Sequence, residues 1–270
     1  MDPGTRQRPA HTRASRQAGA TGWRFVHDEA PSSRRGAVTR PRPPVSGIDP
    51  DLLLHAYATG VFPMADGADA TEVYWVEPRR RGVLPLDQFH LSRSLAKRLP
   101  RFAFTTDRAF EEVVAACAEP APGRESTWIN GSIASAVAEL HARGHAHSIE
   151  CWSDGALVGG LYGVRSGGAF FGESMFSRTT DASKAALAAL VARLRIGGFR
   201  LLDCQFLTGH LARLGAVEVG RARYNAWLAD ALSASADWSA LDRLPGSSDS
   251  DSAGGVSSGR LIRQSLTQTS

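Results

Sequence analysis

Three cysteines, three methionines and two lysines are all that this 270-residue chain contains of those types. Cys117, Cys151 and Cys204 are odd in number and widely spaced, with no CxxC pair, which argues against a disulfide framework and a cysteine zinc site. No run of about 18 apolar residues occurs, so no membrane-spanning helix is expected. The N-terminus is rich in arginine but lacks the apolar stretch of a secretory signal, so a cytoplasmic, reduced protein is expected. Lys97 and Lys184 stand alone among 31 basic residues. That preference for arginine is ascribed to codon usage and carries no functional weight.

The net charge of +4 hides an uneven distribution. Residues 1–45 hold nine arginines against Asp2, Asp28 and Glu29, whereas residues 46–245 are mildly acidic. Residues 1–46 have few large apolar side chains and end in a proline-rich run, so a disordered basic extension is expected, with a nucleic-acid-binding arm as the alternative. The C-terminal stretch is rich in serine and glycine and reads as a tail. Between these ends, Asp49 and Pro50 open a helix that Gly60 closes, with Leu53, Ala56 and Tyr57 inward. Ser92 to Leu99 is a short basic helix, Asp107 caps another, and Ser132 to Arg143 is a third. From His147 the period becomes extended. Strands at 147–152 and 156–164 flank the hairpin dipeptide Asp154-Gly155, and a third strand covers 169–177. A helix over Asp181 to Arg195 and a buried strand at 199–207 follow. This β-β-β-α-β order with helices before it is an α+β pattern.

Side chains alternate along a strand, so Asp203 and Gln205 share one face while Cys204 points the other way with Leu202 and Phe206. An acid and an amide on an apolar strand are costly unless satisfied. They either cap a neighbouring loop or hold an amine beside a polarised carbonyl. Glu173, in the run AFFGESMF, has two candidate partners: Arg178 as a structural ion pair, or the Asp203–Gln205 face. His145 and His147 share a face that Glu150 does not, so hydrogen bonding at a sheet edge is expected rather than metal binding. Arg79, Arg80, Arg81, Arg93, Lys97, Arg98, Arg101 and Arg108 fall within 30 residues and face only Asp87 and Asp107. This segment is either a solvated face or a phosphate-binding strip.

VFPM at 61–64, HLSRSL at 90–95, TWI at 127–129, GHAHSIE at 144–150, LVGGLYGV at 157–164, GESMFSR at 172–178 and LLDCQFL at 201–207 occur in that order. Together they resemble the leucyl/phenylalanyl-tRNA–protein transferase family over residues 47–227. The resemblance implies a small N-terminal domain at 47–82 and a GNAT-like acyltransferase domain with a mainly antiparallel sheet at 83–240, which the composition flanks with a disordered extension at 1–46 and a disordered tail at 241–270. It implies transfer of Leu or Phe, in some cases Met, from aminoacyl-tRNA to proteins beginning with Arg or Lys, which creates an N-degron for proteolysis. No cofactor or metal is implied, and a monomer is expected.

Carried over residue by residue, the resemblance gives Asp203, Gln205 and Glu173 as the catalytic group. Asp203 would position the attacking ammonium, Gln205 would hydrogen-bond the reacting groups and Glu173 would hold both in place. Trp128 and Phe170 would line the aminoacyl pocket with Tyr57, Leu161 and Met64, the last standing where the family often has Trp. Arg93, Lys97, Arg98 and Arg101 would bind tRNA. One alternative is an acetyl-CoA-dependent N-acyltransferase, but Arg165-Ser166-Gly167-Gly168-Ala169 lacks the spacing of a pyrophosphate cradle. A non-catalytic tRNA-binding protein is the other, and it leaves Asp203, Gln205 and Glu173 without a role.

Overall fold

The structure is a computed structural model, which describes residues 47–121, 125–244 and 258–267. The expectations for 1–46 and for 245–257 lie outside these residues. Helix α1 (Pro50–Ala58) starts as its sequence requires: Asp49 Oδ1 accepts from the Asp51 amide, and Leu53, Ala56 and Tyr57 are buried. Strands β1 (Phe62–Met64) and β2 (Tyr74–Val76) form a small antiparallel sheet. Next come β3 (Arg80–Val83), the Ser92-capped helix α2 (Arg93–Arg98) with a 3-10 turn at Leu99–Arg101, and β4 (Ala103–Thr106). Helices α3 (Phe110–Ala118) and α4 (Gly131–Ala142) precede the expected meander of β5 (Ala146–Ser153), β6 (Ala156–Ser166) and β7 (Ala169–Ser177). The chain continues through α5 (Ala182–Ile196), β8 (Leu201–Asp203), α6 (Gly209–Ala212), β9 (Val217–Gly220), α7 (Arg221–Ser233) and α8 (Ser258–Thr267).

Seven strands make one sheet in the order β4-β5-β6-β7-β8-β3-β9. All its pairs are antiparallel except β7 with β8, which the α5 crossover joins in parallel. β3 spans the expected domain boundary at 82/83 and lies inside the main sheet, between β8 and β9. One apolar layer packs α1, α3 and α4 on one face through residues such as Leu53, Val113, Val137 and Phe171. The other packs the alanine- and leucine-rich α5 on the opposite face, with Leu95, Leu99 and Ile262.

Several expectations need correction. The strand expected at 199–207 ends at Asp203, because Gln205 adopts the left-handed conformation with φ of 54°. That turn reverses the alternation, so Phe206 packs edge-on to Phe62 at 5.7 Å instead of joining Leu202 and Cys204. Asp107 is not a helix cap. It is itself left-handed (φ 62°), and its carboxylate accepts from the Ser148 amide while meeting His147 Nδ1 at 2.7 Å. The overlooked β4 pairs with β5 over Ile149–Trp152 only, short of His147, whose ring hydrogen-bonds Asp107 at that end of the pair. Arg178 bonds Glu119, not Glu173. The tail expected to be disordered from 241 carries a 3-10 turn at Leu241–Arg243 and helix α8, whose Ile262 is buried.

Gly82 couples β3 to the turn after β8. Its amide donates to Gln205 O and its carbonyl accepts from Cys204 N, both at 2.9 Å. A Cβ there would stand 2.6 Å from the Phe206 carbonyl carbon and 2.7 Å from the Leu207 nitrogen, both backbone atoms that cannot swing away. Gly82→Ala is expected to destabilise the fold by about 1–3 kcal/mol, as overpacking does. Urea unfolding measures this, and an unchanged midpoint would show that the strands separate without cost.

Candidate active site

Asp203 closes β8 with no exposed surface, and its two oxygens are fully engaged. Arg81 Nε lies 2.9 and 3.0 Å from Oδ1 and Oδ2, and Arg81 Nη2 lies 2.7 Å from Oδ2. Tyr224 Oη donates to Oδ2 at 2.6 Å, and the Gln205 amide donates to Oδ1 at 2.8 Å. Two carboxylate oxygens offer about four acceptor sites, so none is left for an incoming ammonium. Arg81 is as buried as its partner. It donates to Gly60 O at 2.9 Å and lies between the rings of Phe62 and Tyr224, 4.6 and 4.8 Å from their centroids. Although burial opposes its charge, Asp203 holds the Arg81 guanidinium above its ordinary pKa.

The Asp203–Gln205 amide contact fixes the left-handed turn, which directs the Gln205 side chain back toward β7. Gln205 Nε2 donates to Glu173 Oε1 at 2.8 Å, while its amide oxygen has no hydrogen bond among the described residues. Glu173 owes its position to a β-bulge. Tyr162 pairs with Ser174 and Gly163 with Gly172, so Glu173 is the extra residue between them. Burial pushes the Glu173 carboxyl up to about 8, and the Asp203 charge adds to this against the Tyr57 hydroxyl, Arg81 and the Gln205 amide. The group is therefore largely neutral at pH 7. Tyr162 Oη is buried without a hydrogen-bond partner among the described residues, whereas the Tyr57 hydroxyl interacts with the Glu173 carboxyl. Burial raises both tyrosine pKa values well above the ordinary range.

On the α5 face, a cavity of about 20 Å³ lies against β6, β7 and β8, with Leu161, Met175, Leu187, Leu190, Leu202 and Leu211 as its apolar walls. Gly172, Ser174 and Cys204 also line it and directly flank Glu173 and Asp203 in the chain. Burial, followed by the nearby Asp203 charge, raises the Cys204 thiol, so it remains protonated and serves as packing.

The expected pocket residues divide between the two faces. Tyr57, Met64 and the half-buried Trp128 belong to the α1/α3/α4 layer. Leu161 lines the cavity, whereas Phe170 in the same layer stacks on Trp238 at 5.3 Å. Arg93, Lys97 and Arg101 are exposed, while Arg98 reaches Asp181 at 3.3 Å and Thr180 O at 3.1 Å. Of the triple-arginine run, Arg80 pairs with Glu218 and Arg81 is internal, so the run is not one basic surface. Sequence reasoning missed Arg81 and Tyr224. The signal for Arg81 was its place in a β3 strand next to Gly82, which the count of basic residues concealed.

The protein-family profile for leucyl/phenylalanyl-tRNA protein transferase matches residues 83–229, and the profile for the N-terminal domain of that family matches 47–79. A leucyl/phenylalanyl-tRNA–protein transferase from Rhizorhabdus wittichii is 60% identical over 248 residues, covering 84% of this chain and all of the relative. One from Zymomonas mobilis is 59% identical over 205 residues, covering 73% and 76%. Among solved structures, that of L-PGS from Bacillus licheniformis aligns with 60% of this chain and 55% of its own at 14% identity and a TM-score of 0.35, too weak a likeness to argue from.

The raised Glu173 carboxyl ties stability to pH. In the folded chain it stays neutral up to about 8, whereas an unfolded glutamate ionises near 4.5. Folding therefore retains a proton between these values. The contribution is complete below pH 4.5 and is lost as pH rises through 8. Glu173→Gln is expected to flatten the decline in stability over this window, as measured by urea unfolding at pH 5 to 9. Parallel profiles for the two proteins would contradict a buried neutral Glu173.

Proposed function

The chain belongs to the leucyl/phenylalanyl-tRNA–protein transferase family, and from that membership we infer that it moves a leucyl or phenylalanyl group from aminoacyl-tRNA to the N-terminal amine of a protein. The observation that carries this reading is the coincidence of the family match with the buried Asp203–Gln205–Glu173 cluster beside an apolar cavity. The acceptors are proteins beginning with Arg or Lys, and the product is an N-degron. The β5-β6-β7-α5-β8 core supports an acyltransferase fold of the GNAT type. No helix among the described residues is long and apolar enough to cross a membrane, and a cytoplasmic setting fits a donor made there.

The ester is already activated. The acceptor ammonium sheds one proton to solvent, its nitrogen attacks the ester carbonyl, and the C–N bond forms as the bond to the ribose oxygen breaks, a second proton from the nitrogen passing to that oxygen. The free Gln205 amide oxygen accepts a hydrogen bond from the attacking amine. Asp203 acts one step removed, holding the Gln205 backbone in its left-handed turn. Glu173 anchors the Gln205 amide and, being neutral, adds no negative charge beside the developing oxyanion. The cavity around Leu161, Met175 and Leu187 takes the leucyl or phenylalanyl side chain. It is too small as it stands, and Met175, unbranched and half-exposed, is the wall best able to yield. The exposed Arg93, Lys97 and Arg101 contact tRNA phosphates.

Gln205→Ala is expected to lower single-turnover leucyl transfer to an Arg-initiated peptide by roughly 10²–10³-fold, as the loss of one transition-state hydrogen bond does. Leu-tRNA affinity should be unchanged, because the tRNA body binds elsewhere. Wild-type transfer from acetyl-CoA with none from Leu-tRNA would overturn the reading.

A further inference from the structure

The family profile ends at residue 229, and α8 lies beyond it. The helix is amphipathic. Gly259 and Ile262 are buried and Leu261 and Leu266 half-buried, while Arg260, Arg263, Gln264 and Thr267 are exposed. Its docking is sterically defined. A Cβ on Gly259 would stand 2.1 Å from Leu99 O and 3.2 Å from Phe102 O, so only glycine allows so close an approach. The start of α8, and with it the backbone of Arg260, therefore lies against the Leu99–Arg101 turn that ends α2. The helix also packs on α5 and β4.

Residues 93–101 and 258–267 carry six basic side chains and no acid. Arg98 is held by Asp181. Arg93, Lys97, Arg101, Arg260 and Arg263 are exposed and make no ion pair among the described residues. Arg260 and Arg263 are not what docks α8, since its contacts run through Gly259 and Ile262. Exposed arginines without ion-pair partners among the described residues match an anionic backbone, because the guanidinium fork bonds phosphate oxygens in pairs. No large apolar side chain shares that face of α8, which disfavours a protein partner.

We propose that α8 extends the basic surface of α2, with Arg260 and Arg263 contacting backbone phosphates of the donor tRNA. This inference rests on the aminoacyl-tRNA reading above. The test is equilibrium binding of Leu-tRNA to the full chain across a KCl series, comparing wild type with Arg260→Gln/Arg263→Gln. Each lost phosphate contact reduces the slope of log affinity against log salt by about 0.7–0.9, so the double variant should show a slope shallower by about 1–2. Its affinity should fall alike for leucyl- and phenylalanyl-tRNA, while the transfer rate at saturating tRNA and the melting temperature should match wild type. Unchanged slope and affinity, beside a wild type that transfers leucine from tRNA, would overturn the role of α8 alone. A wild type that neither binds Leu-tRNA nor transfers from it would overturn the functional reading first.

Discussion

The buried ion pair between Arg81 and Asp203 ties together parts of the chain that are far apart in sequence. Through Arg81 it reaches Gly60 after α1, Phe62 on β1 and β3 itself; through Asp203 it reaches β8, the Gln205 turn and Tyr224 on α7. Taking two charges out of water costs several kcal/mol per ion, and the attraction repays this only when the remaining hydrogen-bonding capacity is also satisfied. Here the carboxylate receives the guanidinium, a phenol and a backbone amide, and two aromatic rings pack over the guanidinium faces. The segments matched by the two family profiles thus share one electrostatic centre.

The Gln205 geometry follows from that centre. A glutamine in the left-handed region is uncommon and carries strain. Asp203 offsets it by accepting from the Gln205 amide, and Gly82 leaves room for the turn to lie on β3. The bulge in β7 then brings Glu173 to the Gln205 side chain, and burial keeps it largely protonated at neutral pH. Two features that sequence periodicity cannot register, a left-handed residue and a bulge, therefore bring together side chains from β7, the end of β8 and the turn that follows it.

What could be read from the sequence divides along the same line. The β5–β6–β7 meander, α5 and the capping of α1 were legible because they depend on local signals: alternation, Asp154-Gly155, and Asp49 before Pro50. That Asp203 and Gln205 lie on one side was legible, though not the turn that puts Gln205 there, and Glu173 had two candidate partners, Arg178 and that pair, between which only the fold decides. The saturation of Asp203 was not, because it depends on Arg81, 122 residues away, and on Tyr224. Trp128 and Phe170 looked equivalent as aromatics, yet β7 sends Phe170 to the α5 face while Trp128 packs on the opposite layer. α8 was hidden by its serine- and glycine-rich surroundings, since its docking depends on the close contact at Gly259.

On the proposed function, the Arg81–Asp203 pair positions Gln205 and does not merely stabilise the fold. Arg81→Met alone leaves a buried unpaired carboxylate, which costs roughly 3–5 kcal/mol, whereas replacing both members with apolar side chains of similar volume is often neutral. The direct test is single-turnover leucyl transfer by the folded Arg81→Met/Asp203→Leu double variant. The double variant should recover most of its stability yet transfer leucine at least about a hundredfold more slowly than wild type, because the Gln205 amide has lost its acceptor. A double variant that is both stable and as active as wild type would contradict it.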